Sequence, residues 1–170
     1  MTNVEPLPHI RYHGVFTSNR HVVSLTERSA SPQGRLLNLS VDHHFVGEVA
    51  LSTAFYPGVG IGDTHVVVWG GIEFFIVRCD NYVLTQFDQY EPVHEAYAID
   101  HRWLLVRELS VVLADLDQRS IEETFDHDEV IVDSWWEGNR LYVEDFEHRR
   151  FAFELSDAVP RLKQVETGAE

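Results

Sequence analysis

The chain has 170 residues, 44% of them hydrophobic and 24% charged, with a formal net charge of −15. That length suits one ordinary domain with its own core, and the composition excludes a disordered tail. The charge argues against a nucleic-acid backbone or an anionic membrane as the direct partner, because both repel such a surface.

The segment Met1-Thr2-Asn3-Val4-Glu5-Pro6-Leu7-Pro8 has no basic start and no apolar stretch, so it does not read as a secretory signal. Beyond it, short runs rich in Val, Leu, Ile, Phe, Tyr and Trp predict strands over 20–26, 35–41, 49–56, 65–69 and 72–79. Residues 27–34 are small and polar and predict an exposed loop. Further strands are predicted over 96–99, 103–106, 110–116, 129–133, 140–143 and 150–155. Val66-Val67-Val68 and Val130-Ile131-Val132 are continuous apolar runs, as in strands covered on both faces. Connections this short make sequential strands antiparallel neighbours. Ser156-Asp157-Ala158-Val159 can open a short C-terminal helix, limited by Pro160, and 164–170 reads as a frayed tail. No window approaches 18 apolar residues, so no membrane-spanning helix is expected.

A weak repeat runs through 65–155. The stretch from His65 to Val77 aligns with the stretch from Arg102 to Ala114, an offset of 37. A third copy starts at Arg140, an offset of 38, and continues through Arg150-Phe151-Ala152-Phe153-Glu154-Leu155. Each copy is a strand, a tight polar turn and a second strand, with room for two more strands before the next. Such a unit resembles the blade of a β-propeller. The first 64 residues fit the repeat poorly, and no Trp-Asp or Gly-His punctuation marks it. The fold class is therefore one all-β domain over 1–170, built of antiparallel sheets. A sandwich, an open barrel and a small propeller-like repeat all remain compatible with it.

The charge is uneven. Residues 1–85 carry seven acids and five arginines, while 86–170 carry the other 21 acids and eight bases. Lys163 is the only lysine, which removes lysine chemistry from the body of the domain, and no Gly-Lys-Ser/Thr triplet offers a P-loop. Cys79 is the only cysteine and lies in an apolar run, so it reads as a strand residue of a cytoplasmic protein.

The histidines show no His-x-His or His-Glu-x-x-His pattern. Placed on a strand, His43 and His44 would point to opposite faces. A metal site would need His65, His94, His101 or His127 to be gathered by the fold; no metal and no cofactor is expected. Asp126-His127-Asp128-Glu129 reads as a turn, and is the first place to seek an acid–base group. Tyr56-Pro57-Gly58-Val59-Gly60-Ile61-Gly62-Asp63 has alternating glycines but no helix signal after it, so it lacks half of a phosphate site. It is expected to form a loop able to line a pocket. No Gly-x-Ser-x-Gly elbow occurs. These absences favour binding over catalysis.

Ser134-Trp135-Trp136-Glu137-Gly138-Asn139 places two adjacent tryptophans at a strand end before a hairpin turn. They cannot both face one core. An exposed tryptophan with an acidic rim suits an interface anchor. The leading expectation is a cytoplasmic binding protein for a basic protein partner. Glu122, Glu123, Asp126, Asp128, Asp133 and Glu137 would steer it, and Trp135 and Trp136 would supply buried area. An immunity protein that blocks the phosphate-binding cleft of a basic toxin is one concrete form. The alternatives are a carbohydrate or small-molecule module with equivalent sites near Trp69 and Trp103, and a metal-dependent hydrolase.

Overall fold

The computed structural model describes residues 11–53, 55–155 and 162–165. Among these there is no helix, and therefore none long and apolar enough to cross a membrane. Sixteen strands form four separate antiparallel sheets, each a meander of four consecutive strands. The first sheet contains β1 (His13–Thr17), β2 (Val22–Ser31), β3 (Gly34–Val41) and β4 (His44–Leu51). The second contains β5 (Gly58–Ile61), β6 (His65–Gly70), β7 (Glu73–Arg78) and β8 (Leu84–Gln86). The third contains β9 (Val93–Ile99), β10 (Arg102–Arg107), β11 (Ser110–Asp115) and β12 (Ser120–Asp126). The fourth contains β13 (Ile131–Glu137), β14 (Arg140–Asp145), β15 (Arg150–Leu155) and β16 (Leu162–Val165).

The sheets stack face to face, and the hydrophobic pattern explains why. Three cores lie between successive sheets. Leu25, Leu37 and Leu39 of the first sheet meet Val66, Val68 and Phe75 of the second. Val67, Trp69 and Phe74 point the other way and meet Trp103, Leu105 and Val112. Leu104, Val106 and Val111 then meet Leu141, Val143 and Phe153. Alternate residues of β6 and β10 thus feed opposite cores, which is why both strands read as unbroken apolar runs. The first sheet and the fourth share no core among the described residues.

Several expectations change. Residues 27–31 belong to β2, and only 32–33 make the turn. This end of the hairpin reaches past the core, so exposed small residues hide its strand character. Asp42 and His43 form the two-residue turn between β3 and β4, with φ of 50° and 67°. Positive φ at both positions is what a type I′ hairpin requires, so His43 is not a strand residue. Gly58–Ile61 is a strand, not a loop. Its glycines make room for indoles: a Cβ on Gly58 would sit 2.0 Å from Trp69, and one on Gly60 2.7 Å from Trp103. Residues 164 and 165 lie in β16, paired with β15. The expected helix at 156–159 lies outside the described residues.

The repeat extends to the first sheet as well. His21, His65, Arg102 and Arg140 stand at or just before the second strand of each sheet. The first spacing is 44 residues, against 37 and 38 for the others. The long β2–β3 hairpin accounts for the difference, with strands of 10 and 8 residues against six in β6 and β7.

Candidate functional site

The first strands of neighbouring sheets lie side by side. Gly62, just past β5, abuts Ala98 of β9, and Tyr97 of β9 shares a 3.0 Å hydrogen bond with Ser134 of β13. At one end of this edge opens a cleft of about 730 Å³. Its walls come from the β4–β5 connection, the β6–β7 turn and the starts of β5 and β9. Phe16, Phe55, Tyr56 and Trp69 make it aromatic, and His94 and Glu95 bring polarity to one wall.

Local chemistry sets the shape of this cleft. Pro57 and Gly58 turn the chain out of the first sheet into the second. Tyr56 is held by Tyr12, stacked at 5.0 Å, and by the Arg35 guanidinium 5.0 Å from its ring centroid. Arg35 is in turn tied to the Glu27 carboxylate, which is buried. Desolvation, then the neighbouring Tyr56, push the Tyr12 phenol above its ordinary value. Phe55 and Tyr56 nevertheless expose 82% and 71% of their surface. On the facing wall, desolvation pushes the Glu95 carboxyl above the ordinary range, and the charge of Asp133 adds to the shift. Neither acid has a cationic partner among the described residues.

The anticipated acidic and aromatic residues fall in several places. Glu122, on β12, binds Arg102, with Nε 2.6 Å away. Glu123 is its neighbour on the same strand, at the fourth-strand side of the sheet. Asp126 ends β12 and Asp128 lies in the link to β13, on either side of His127, and Asp128 is bound by Arg149 at 2.9 Å, which holds it below the usual range. Trp136 points into the core and meets Tyr97 edge-on at 5.6 Å. Trp135 points to the other face, stacked on Tyr142 at 5.6 Å, with Arg150 over its ring. Its indole donates to Glu137. Only Asp133, through its charge on Glu95, reaches toward the cleft.

His127 sits against Phe151 and Phe153, with its Nε2 buried and unpartnered. Burial pushes its pKa down. It is a wall of the third core rather than the exposed acid–base group that its acidic neighbours suggest. His65 is buried too, bonded to Thr64 and to Asp117 of the next sheet. His44 stacks on Tyr82 at 4.4 Å. His94 lines the aromatic cleft, while His101 borders a smaller polar pocket near His65. Among the described residues, no three His, Cys, Asp or Glu side chains are placed to hold a metal ion. Cys79 is pushed up to about 11, mainly by burial, which keeps it a thiol. Trp69 and Trp103 are largely buried, packed against the β5 glycines.

Glu95 was not legible as a site residue. It lies just before a predicted strand, and only the fold brings it beside Asp133. The Phe55-Tyr56-Pro57-Gly58 run did carry a signal, since adjacent aromatics before a Pro-Gly turn are poorly placed for burial.

Four four-stranded meanders, packed face to face with their first strands along one edge, define an all-β, propeller-like protein. Solved structures agree. The chain is similar to the WD40 domain of Toxoplasma gondii coronin, with 9% identity and a TM-score of 0.54 over 94% of this chain and 52% of that one. It is similar to the β-propeller domain of the Trilobed protease from Pyrococcus furiosus, which has an open velcro topology. There the identity is 7% and the TM-score 0.55, over 92% of this chain and 57% of that one. A crystallised segment of HIRA gives 7% and 0.53, over 94% of this chain and 54% of that one. The chain thus spans about half the length of these three. At such identities the likeness shows the fold alone. No family model matches the sequence, and no curated protein matches it.

Proposed function

We propose that this chain is a propeller-type binding module, not an enzyme, and that its cleft takes a basic segment of a protein partner. The carrying observation is the pairing of Glu95 and Asp133 without a cation, beside the exposed rings of Phe55 and Tyr56. An arginine side chain satisfies both features. Its charge relieves the acid pair, and its planar face stacks on an aromatic ring. The uneven charge of the chain supports the same partner, because the acid-rich half draws a basic protein toward the cleft. A basic toxin neutralised in the cytoplasm is one such partner.

A pull-down from the source cell extract tests this, with the wild type and a Glu95→Gln, Asp133→Asn double variant. A basic protein held by the wild type at low salt, released at high salt and lost from the variant is the expected result. Equal capture by both proteins would overturn the assignment of the cleft.

The exposed Phe55 and Tyr56 rings favour one second reading, a sugar or other small flat ligand in the same cleft. Glycan-array binding that survives the double variant but is lost in Tyr56→Ala would select it.

A further inference from the structure

We infer that the cleft-bearing end of the stack is a docking surface for an amphipathic helix of a protein partner, apolar along one stripe and basic beside it. The surface adjoins the cleft but consists of other residues, and it does not depend on the cleft reading.

In each sheet the turn between the second and third strands lies at this end, as do the links from one sheet to the next. Ten large hydrophobic side chains are exposed among the described residues. Six of them lie in these turns and links, Phe55 and Tyr56 of the cleft included, whereas only Val83 lies in a connection at the opposite end. Ile72, Leu109 and Phe146 stand in the corresponding turns of the second, third and fourth sheets, at intervals of 37 residues. They expose 42%, 42% and 72% of their surface. In the first sheet that turn is Pro32-Gln33, so the row begins at Ile72, beside Gly71 of the cleft. Backbone hydrogen bonds tie the row into one surface. The Gln89 N–H donates to the Ile72 carbonyl at 2.8 Å, and the Glu108 N–H to the Pro92 carbonyl at 2.9 Å. The His127 N–H donates to the Leu109 carbonyl and the Phe146 N–H to the Val130 carbonyl, both at 2.8 Å. Turn and link thus alternate, each bonded to the next, from the second sheet to the fourth.

Spacing and charge select the occupant. Stacked sheets lie roughly 10 Å apart, so one exposed apolar side chain recurs about every 10 Å along the row. Seven residues of helix rise about 10.5 Å and return to the same face after two turns. In an extended segment three residues cover that distance, but they point to opposite faces. A polyproline segment has a matching period but docks in aromatic-lined grooves, and two of the three positions here are aliphatic. The turns and links at this end hold six acids and one arginine. Asp88, Glu108 and Glu129 have no cationic partner among the described residues. The flanks of the row therefore match a helix with lysine or arginine beside its apolar stripe.

The test is fluorescence anisotropy with a terminally labelled synthetic peptide of about 20 residues, long enough to hold a helix alone. It carries leucine at i, i+7 and i+14, lysine beside that stripe, and neither arginine nor an aromatic residue. The wild type is expected to bind it. Leu109→Ser and Phe146→Ser are each expected to weaken binding about tenfold, the worth of one buried apolar side chain. Both side chains are exposed, and circular dichroism checks that the variants keep the wild-type sheet signal. Val83→Ser, at the opposite end, is expected to bind as the wild type does. So is the Glu95→Gln, Asp133→Asn double variant, which separates this surface from the cleft. No binding at millimolar-order concentration overturns the inference. So does equal binding of a peptide with its leucines at i, i+5 and i+10, or binding that ignores both turn substitutions. Loss of binding in the double variant places the peptide in the cleft and overturns it as well. Tighter binding of a polyproline peptide, or wild-type self-association that Leu109→Ser abolishes, assigns the row to another occupant and overturns the helix.

Discussion

Gly58 shows how one residue's lack of a side chain shapes the site. The Trp69 indole occupies the space where a Cβ would stand, and Trp69 is itself a wall of the cleft. Gly58→Ala is expected to cost about 1–3 kcal/mol by overpacking, read as a lower midpoint in urea with Trp fluorescence as probe. His127 makes an opposite case, a polar group whose burial opposes its charge. Its folded pKa lies below the ordinary histidine value of about 6.5. The neutral form is the folded one, so its contribution is intact above about pH 6.5 and is lost as pH falls toward the depressed folded value. His21 runs the other way. Burial would lower its pKa, but Asp42 outweighs burial and raises it, so its contribution is lost as pH rises through that value. His127→Phe is therefore expected to flatten the melting-temperature loss between pH 7 and 5.5. An unchanged acid slope would contradict this. Neither histidine's role was legible in the sequence. Asp126 and Asp128 beside His127 suggest proton chemistry, but the phenylalanines that bury the ring come from another strand.

Among the elements, the apolar cores hold the blades together and the polar contacts between them add little. Leu105 is fully buried in the second core, and Leu105→Ala is expected to cost about 2–5 kcal/mol. Arg20 bridges to Asp63 between the first two blades at 3.3 Å, but both side chains are about two-thirds exposed. Arg20→Ala is expected to cost under about 1 kcal/mol. Chemical denaturation of the two variants compares these directly. The element pattern was the most legible part of the sequence. The unbroken run Val66-Val67-Val68 gave away β6 as a strand covered on both faces, and the offsets of 37 and 38 gave away three blades. Val130-Ile131-Val132 misled, because Ile131 is buried while Val132 on the other face is 51% exposed. The first blade stayed hidden because its β2–β3 hairpin is longer, which stretches its spacing to 44. β5 was obscured by glycines that normally signal a turn; here they admit Trp69 and Trp103.

At the scale of the molecule, an acid-rich half and a nearly neutral half share one stack of blades. The imbalance was plain in the sequence, but its focus was not. Glu122 and Asp128 are engaged by Arg102 and Arg149, whereas Glu95 and Asp133 have no cation among the described residues. Because the Glu95 pKa is raised, a cation bound there should weaken on acidification sooner than at an ordinary glutamate, and Glu95→Gln should remove that early loss. The central claim is that this cleft recognises cationic peptide. The most direct test is an amide-resolved NMR titration with a short peptide containing arginine and tyrosine, against its glutamate-substituted counterpart. The account expects shifts at 52–59, 93–95 and 133 with the basic peptide, and none there with the acidic one. Shifts confined to 120–128, or no response to the basic peptide at millimolar-order concentration, where weak specific binding still registers, would contradict it.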